Sequence, residues 1–207
     1  MVTSAAERRH RFLALAWRRR RPARLASSAA LLASRTARLK WPDLGDVLRG
    51  IPWAVCGGVA TRLYMPERAT VDLDVLIDEG DSATVGDRLE AARFRREGEL
   101  GIPGSIWRSP DGVEINTIER GDPWVASALD RAAHNRDAQG LPILPLPYLV
   151  LMKLEASRGQ DLADLLRMLG AAPEEQLQQV RQVVSQYAPG DLQDLESLIQ
   201  LGRLELG

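Results

Sequence analysis

The heptapeptide VDLDVLI, residues 71–77, constrains the fold more than any other stretch of this chain. Apolar residues alternate there with Asp72 and Asp74, and a strand sends residues two apart to the same face. Val71, Leu73 and Val75 are expected on the core side and both carboxylates on the other. Two carboxylates held this close repel each other unless a cation intervenes. A hard divalent ion, Mg2+ or Mn2+, resolves the conflict, because such ions combine a few carboxylates with water and phosphate oxygens. The same alternation also describes a plain solvated strand face, so the pair needs support from its surroundings.

Support comes from WAVCGG, residues 53–58, a short apolar strand that ends in Gly57-Gly58. Glycines let a backbone approach a ligand closely and turn its N–H groups outward. With a helix expected over 58–65, Gly57 and Gly58 suit phosphate oxygens. A tight turn is the simpler reading of the pair alone. One helix and one turn separate Gly58 from Asp72, which is enough chain to return a neighbouring strand beside the first. The glycine turn and the acidic pair can then meet at one end of a sheet.

Two histidines and one cysteine among 207 residues argue against a zinc centre and against a disulfide framework. No stretch approaches the ~20 apolar residues of a membrane span, and a cytoplasmic protein with no membrane partner is expected. Charge is unevenly spread. Residues 1–40 hold ten arginines and one lysine against Glu7, whereas the other 167 residues hold 16 basic and 27 acidic side chains. Residues 1–40 therefore read as a basic arm that contacts an anionic polymer, most simply RNA, or as a leader or an over-extended start.

Helices are expected over 5–20, 24–39 and 44–49, the last capped by Asp43 and stopped at Gly50. A helix is expected over 81–93, strands near 94–97, 105–108 and 112–118, a helix over 124–137 and a short strand over 141–144. From there the chain reads as helices over 147–158, 160–169, 173–187 and 191–204. Strands followed by helices give an α+β fold, with a core over 41–145 and a helical segment over 146–207. Trp53, Trp107 and Trp124 read as core residues, Cys56 as a small buried one, and His10 and His134 show no partner pattern.

The stretch CGGVATRLYMPERATVDLDVLI resembles the signature of the polymerase-β-like nucleotidyltransferases. Arg68 and Thr70 just ahead of Asp72 and Asp74 are most similar to the AbiEii-type (MNT-like) branch, which includes toxin–antitoxin components. The resemblance implies a small mixed sheet flanked by helices. It also implies metal-dependent transfer of a nucleoside monophosphate from an NTP to an RNA, such as a tRNA 3′ end, or to a protein hydroxyl, with a cognate antitoxin or toxin as partner. A catalytically degenerate nucleotide-binding or antitoxin-like protein is the alternative.

Downstream, PLPYLVLMKLEASRGQDLADLLRML is similar to a helical segment of the same branch, in which Lys153, Arg158, Asp161 and Asp164 occupy the charged places. Lys153 stands on an apolar helix, a costly place for an ammonium unless an anion meets it. Triphosphate binding is the functional reading, and a lysine snorkelling at the helix edge the bland one. Asp161 is either a nucleotide contact or a helix cap. The family's third carboxylate is expected at Glu114 in GVEINTI, as metal ligand or base, with Asn116 on the same face. Arg62 and Arg68 flank the site and either meet the triphosphate or pair with an acid.

Overall fold

In a computed structural model the chain divides into two compact units, residues 29–145 and residues 1–28 with 146–207. Residues 3–18, 40–66 and 70–206 are described. The expected helix over 24–39 and Arg68 fall outside them. The fold is α+β, with a five-stranded mixed sheet and eight α-helices among the described residues.

The sheet unit contains β1 (Trp53–Val55), α2 (Gly57–Ala60) and β2 (Asp72–Asp78). These are followed by α3 (Ser82–Ala91), β3 (Arg95–Glu99), β4 (Gly104–Arg108), β5 (Glu114–Arg120) and α4 (Val125–Ala132). The strand order is β1-β2-β5-β4-β3. Only the central pair, β2 with β5, is parallel; β1 pairs antiparallel with β2, and β5, β4 and β3 form an antiparallel run. The expected strand over 141–144 is reduced to isolated bridges, in which Val55 donates to Pro142 and accepts from Leu144.

Alternation divides the sheet into two faces. Leu73, Val75, Ile77 and Ile115 are fully buried on one. Trp107 and Thr117 share that face, and α3 lies over it with Gly86 near the Trp107 ring. Asp72, Asp74, Glu114 and Asn116 share the other. Val71 departs from the expectation: it precedes the strand and is 87% exposed. Trp53, Trp107 and Trp124 are buried, as is Cys56. The helix expected over 58–65 is instead a four-residue α-turn followed by a 3-10 turn, Thr61–Leu63, and Leu63 is exposed. Residues 45–50 form turns rather than a helix, with Asp43 accepting from the Gly45 N–H and Gly50 ending the segment at φ +81°.

The helical unit contains α1 (Ala5–Arg18), α5 (Leu146–Ala156), α6 (Gly159–Ala171), α7 (Glu174–Tyr187) and α8 (Leu192–Leu206). Helix α1 is packed within this unit. Arg9 is 3% exposed. Its guanidinium donates to Asp194 at 2.8 Å, to the Leu154 carbonyl at 2.7 Å and to the Ser157 hydroxyl at 2.9 Å, and it pairs with Asp191. Arg8 caps the carbonyls of Ala156 at 2.9 Å and Ser157 at 3.1 Å. These two arginines of the basic segment are thus used by the protein itself. Helices α6 and α8 touch through backbone, since a Cβ on Gly170 would strike Gly202 and one on Gly202 would strike the Leu166 carbonyl. Among the described residues no helix is long and apolar enough to cross a membrane.

Candidate active site

Strand β2 presents Asp72 and Asp74 on the face expected, each half-buried. In the parallel register Asp72 is level with Glu114 and Asp74 with Asn116. The Asn116 side chain is 7% exposed and spans the acidic pair. Its Nδ2 donates to Asp74 Oδ1 at 3.0 Å and to Asp72 Oδ2 at 3.3 Å. One amide group thereby holds both carboxylates, replacing some of the positive potential that two adjacent anions require. Its Oδ1 is buried without a partner among the described residues. Such an orphan carries a desolvation cost of about 1–3 kcal/mol. The Thr70 hydroxyl donates to Asp72 Oδ1 at 2.7 Å, fixing the outer carboxylate at the mouth of the strand.

The glycine turn meets the pair directly. The Cys56 N–H donates to the Asp74 carbonyl at 2.8 Å, bringing the end of β1 against β2. Gly57 follows at φ +59°, a left-handed conformation, and a Cβ there would overlap the Asp74 carboxylate. Both facts demand glycine: the backbone geometry disfavours L side chains, and the carboxylate occupies the space. The N–H groups of Gly57, Gly58 and Val59 open the helical turn and have no carbonyl partner within it. Because α2 is only one turn long, its macrodipole adds little, and any attraction for phosphate rests on those N–H groups.

Glu114 lies level with Asp72 but turns to the next strand, where it accepts from Arg108 at 3.0 Å. Arg108 also holds Glu97 at 2.7 Å. The hydrogen bond and charge of Arg108 keep the Glu97 carboxyl below its ordinary range, burial acting the other way. Among the described residues no three His, Cys, Asp or Glu side chains converge closely enough to hold one metal ion. The carboxylates that converge are therefore Asp72 and Asp74, and Glu114 stands in an ion-pair row beside them. Oxygen donors from two carboxylates, with no nitrogen or sulfur ligand, suit Mg2+ or Mn2+, and the unpartnered Asn116 Oδ1 is a further hard donor beside them.

Of the remaining expected residues, Arg62, Lys153 and Asp161 are described, and each has a protein partner. Arg62 pairs with the buried Asp137 and donates to Gln139 at 3.0 Å, so it stabilises the loop ahead of residues 141–144. Lys153 and Asp161 belong to the helical unit. Lys153 is 4% exposed and its ammonium meets two carboxylates of α6, Asp164 at 2.8 Å and Asp161 at 3.2 Å. The anion that the sequence required for this lysine is supplied by its own unit. Asp161 also caps α6, accepting from the Arg158 N–H at 3.3 Å and from its guanidinium at 2.7 Å. Burial pushes the Asp161 carboxyl upward, but the Arg158 hydrogen bond and the Lys153 charge outweigh it and hold it below the usual value.

Sequence reasoning set Asn116 on the correct face without its bridging role, which no local pattern signals. A cavity of about 230 Å³ lies under α3 on the opposite side of the sheet, lined by Ser82, Arg96, Trp107, Thr117 and Glu119. It is separate from the acidic pair.

No protein-family model matches the chain, and no curated protein matches it. Similar solved structures include two of the antibiotic-resistance factor ANT(2'')-Ia. One is a solution structure at 13% identity and TM-score 0.43, covering 85% of this chain and 90% of that one. The other is a crystal structure with adenylyl-2''-tobramycin at 14% identity and TM-score 0.40, covering 86% and 98%. Terminal uridylyl transferase 4 from Trypanosoma brucei with bound GTP is similar at 13% identity and TM-score 0.34, covering 86% of this chain and 70% of that one. The likeness is loose, and the chemistry below rests on Asp72, Asp74 and their surroundings.

Proposed function

We propose that the sheet unit is the NTP-binding centre of a metal-dependent nucleotidyltransferase. The observation that carries this reading is the acidic pair: Asp72 and Asp74 project together from β2, Asn116 bridges them, and Asp74 packs against a glycine turn that tolerates no side chain. A structural surface pair has no need of such a close-fitting turn.

In this reading the acceptor hydroxyl oxygen attacks the α-phosphorus, the bond to the bridging oxygen of pyrophosphate breaks, and the hydroxyl proton is released. A divalent ion bound at the pair would screen the triphosphate and favour ionisation of the attacking hydroxyl. Asp72 and Asp74 supply the anionic oxygens, and Thr70 keeps Asp72 aligned. The N–H groups of Gly57 and Gly58 would donate hydrogen bonds to the phosphate oxygens. The Arg108–Glu114–Glu97 row borders the pair on the β4 side and is assigned to positioning the acceptor. An RNA or protein hydroxyl is the acceptor proposed, in a protein that would act as a toxin–antitoxin component.

The engagement of Glu114 with Arg108 favours a second reading, a protein that binds nucleotide without transferring it. Incubation with each α-labelled NTP, Mg2+ or Mn2+, total RNA and candidate proteins separates the two. Label on a macromolecule, lost in Asp72→Asn with Asp74→Asn, is the expected result. Metal-linked NTP binding without transfer establishes the second reading, and NTP binding that ignores both metal and the double substitution refutes the acidic-pair site.

A further inference from the structure

Asn116 combines two features that are hard to reconcile in a purely structural residue. Its N–H2 end serves two carboxylates, while its oxygen end is buried with no partner among the described residues. A side-chain amide is nearly symmetric in shape, so turning it over about its last torsion exchanges the two ends with little change in packing. With no cation present, that turn would aim a carbonyl dipole at two anions and is disfavoured. With a divalent cation between the carboxylates the preference reverses, because the N–H2 group would then face positive charge and the oxygen would be attracted to it. Glu114 is held by Arg108, which leaves Asn116 as the hard donor nearest the pair on this strand.

We infer that Asn116 is the third protein ligand of the divalent ion at Asp72 and Asp74, its amide turning over on loading. In the metal-free protein the same group acts as a donor that keeps the two carboxylates together. The inference rests on the reading of the pair as a metal site.

The two roles differ in sign when Asn116 is replaced by leucine, which keeps the approximate size and removes both ends. If the amide only clamps the carboxylates, it competes with the cation, and Asn116→Leu binds metal as well as wild type or better. If the oxygen becomes a ligand, Asn116→Leu weakens binding by about tenfold or more. Asn116→Asp supplies a third carboxylate. It is expected to bind metal at least as tightly as wild type, while melting lower in metal-free buffer and recovering when metal is added.

The experiment is a Mn2+ titration of the full chain followed by electron paramagnetic resonance. Wild type, Asn116→Leu, Asn116→Asp and the Asp72→Asn, Asp74→Asn double variant are compared, with melting curves taken with and without Mn2+. Weaker binding by the leucine variant together with retained binding by the aspartate variant is the expected result. Should the leucine variant fail to fold, the aspartate variant decides: binding weaker than wild type overturns the inference. Leucine-variant binding equal to or tighter than wild type also overturns it while leaving the metal site standing. Absence of Mn2+ binding by wild type overturns the inference and the metal site together.

Discussion

Replacing Lys153 by methionine separates a structural ammonium from a ligand-binding one. Methionine preserves the apolar stem among Leu149, Val150 and Leu154 and removes only the charge. What remains is two acids that faced it, with side chains 4% exposed at Asp161 and 0% at Asp164. Asp161 keeps its 2.7 Å contact with Arg158, and Asp164 keeps the 2.9 Å hydrogen bond from Gln160, a neutral donor. Removing one partner of a buried ion pair typically costs about 3–5 kcal/mol, because the other charge stays buried. Replacing both partners with apolar residues is often close to neutral. Lys153→Met alone is expected to destabilise by that amount, and Lys153→Met with Asp164→Leu to recover most of it. Urea denaturation followed by far-UV circular dichroism, with NTP binding measured alongside, reads both effects. A single variant within about 0.5 kcal/mol of wild type, or a double variant no better than the single, refutes the assignment. Unchanged stability with weakened NTP binding would return Lys153 to the triphosphate.

Gly57→Ala is expected to abolish metal-linked NTP binding. The left-handed backbone alone costs about 1–2 kcal/mol and the new Cβ displaces the Asp74 carboxylate; calorimetry showing wild-type affinity would contradict this. Arg9→Ala should destabilise the helical unit by roughly 3 kcal/mol, since Asp191 and Asp194 lose their buried partner, and the melting temperature reports it. Stability should also fall with acid at Asp161. Its folded-state carboxyl titrates below the unfolded value, so its contribution is present above the unfolded value near about 3.9 and is lost as pH falls through the folded one. Asp161→Asn should flatten that acid limb in urea midpoints measured across the range.

The sheet was legible in the sequence where period and chemistry coincided. Alternation in VDLDVLI set the two faces of β2. The level pairing of Asp74 with Asn116 was not legible, because register between strands about forty residues apart is fixed by packing of the whole sheet. The same limit applies to charge. Composition identified a basic first segment, but the places of Arg8 and Arg9 depend on carbonyls and acids near the other end of the chain. Lys153 showed that a buried cation needs an anion, and the sequence even placed Asp161 and Asp164 one turn apart on the next helix. Nothing local distinguishes those acids from a bound phosphate as the partner.

The docking of α1 with the helices beyond residue 146 gives the chain an order of assembly. The sheet unit lies wholly between the two segments that make up the helical unit. A ribosome delivers every strand and its parallel partner before Asp191 and Asp194 exist, so the sheet unit can close while synthesis continues. Helix α1 must wait through that interval with Arg9 lacking these partners, and its contacts with Leu154, Asp191 and Asp194 span 145 to 185 residues, the kind of long-range closure that slows folding. During the wait its arginines are open to whatever polyanion is nearest, and the nascent chain emerges beside ribosomal RNA.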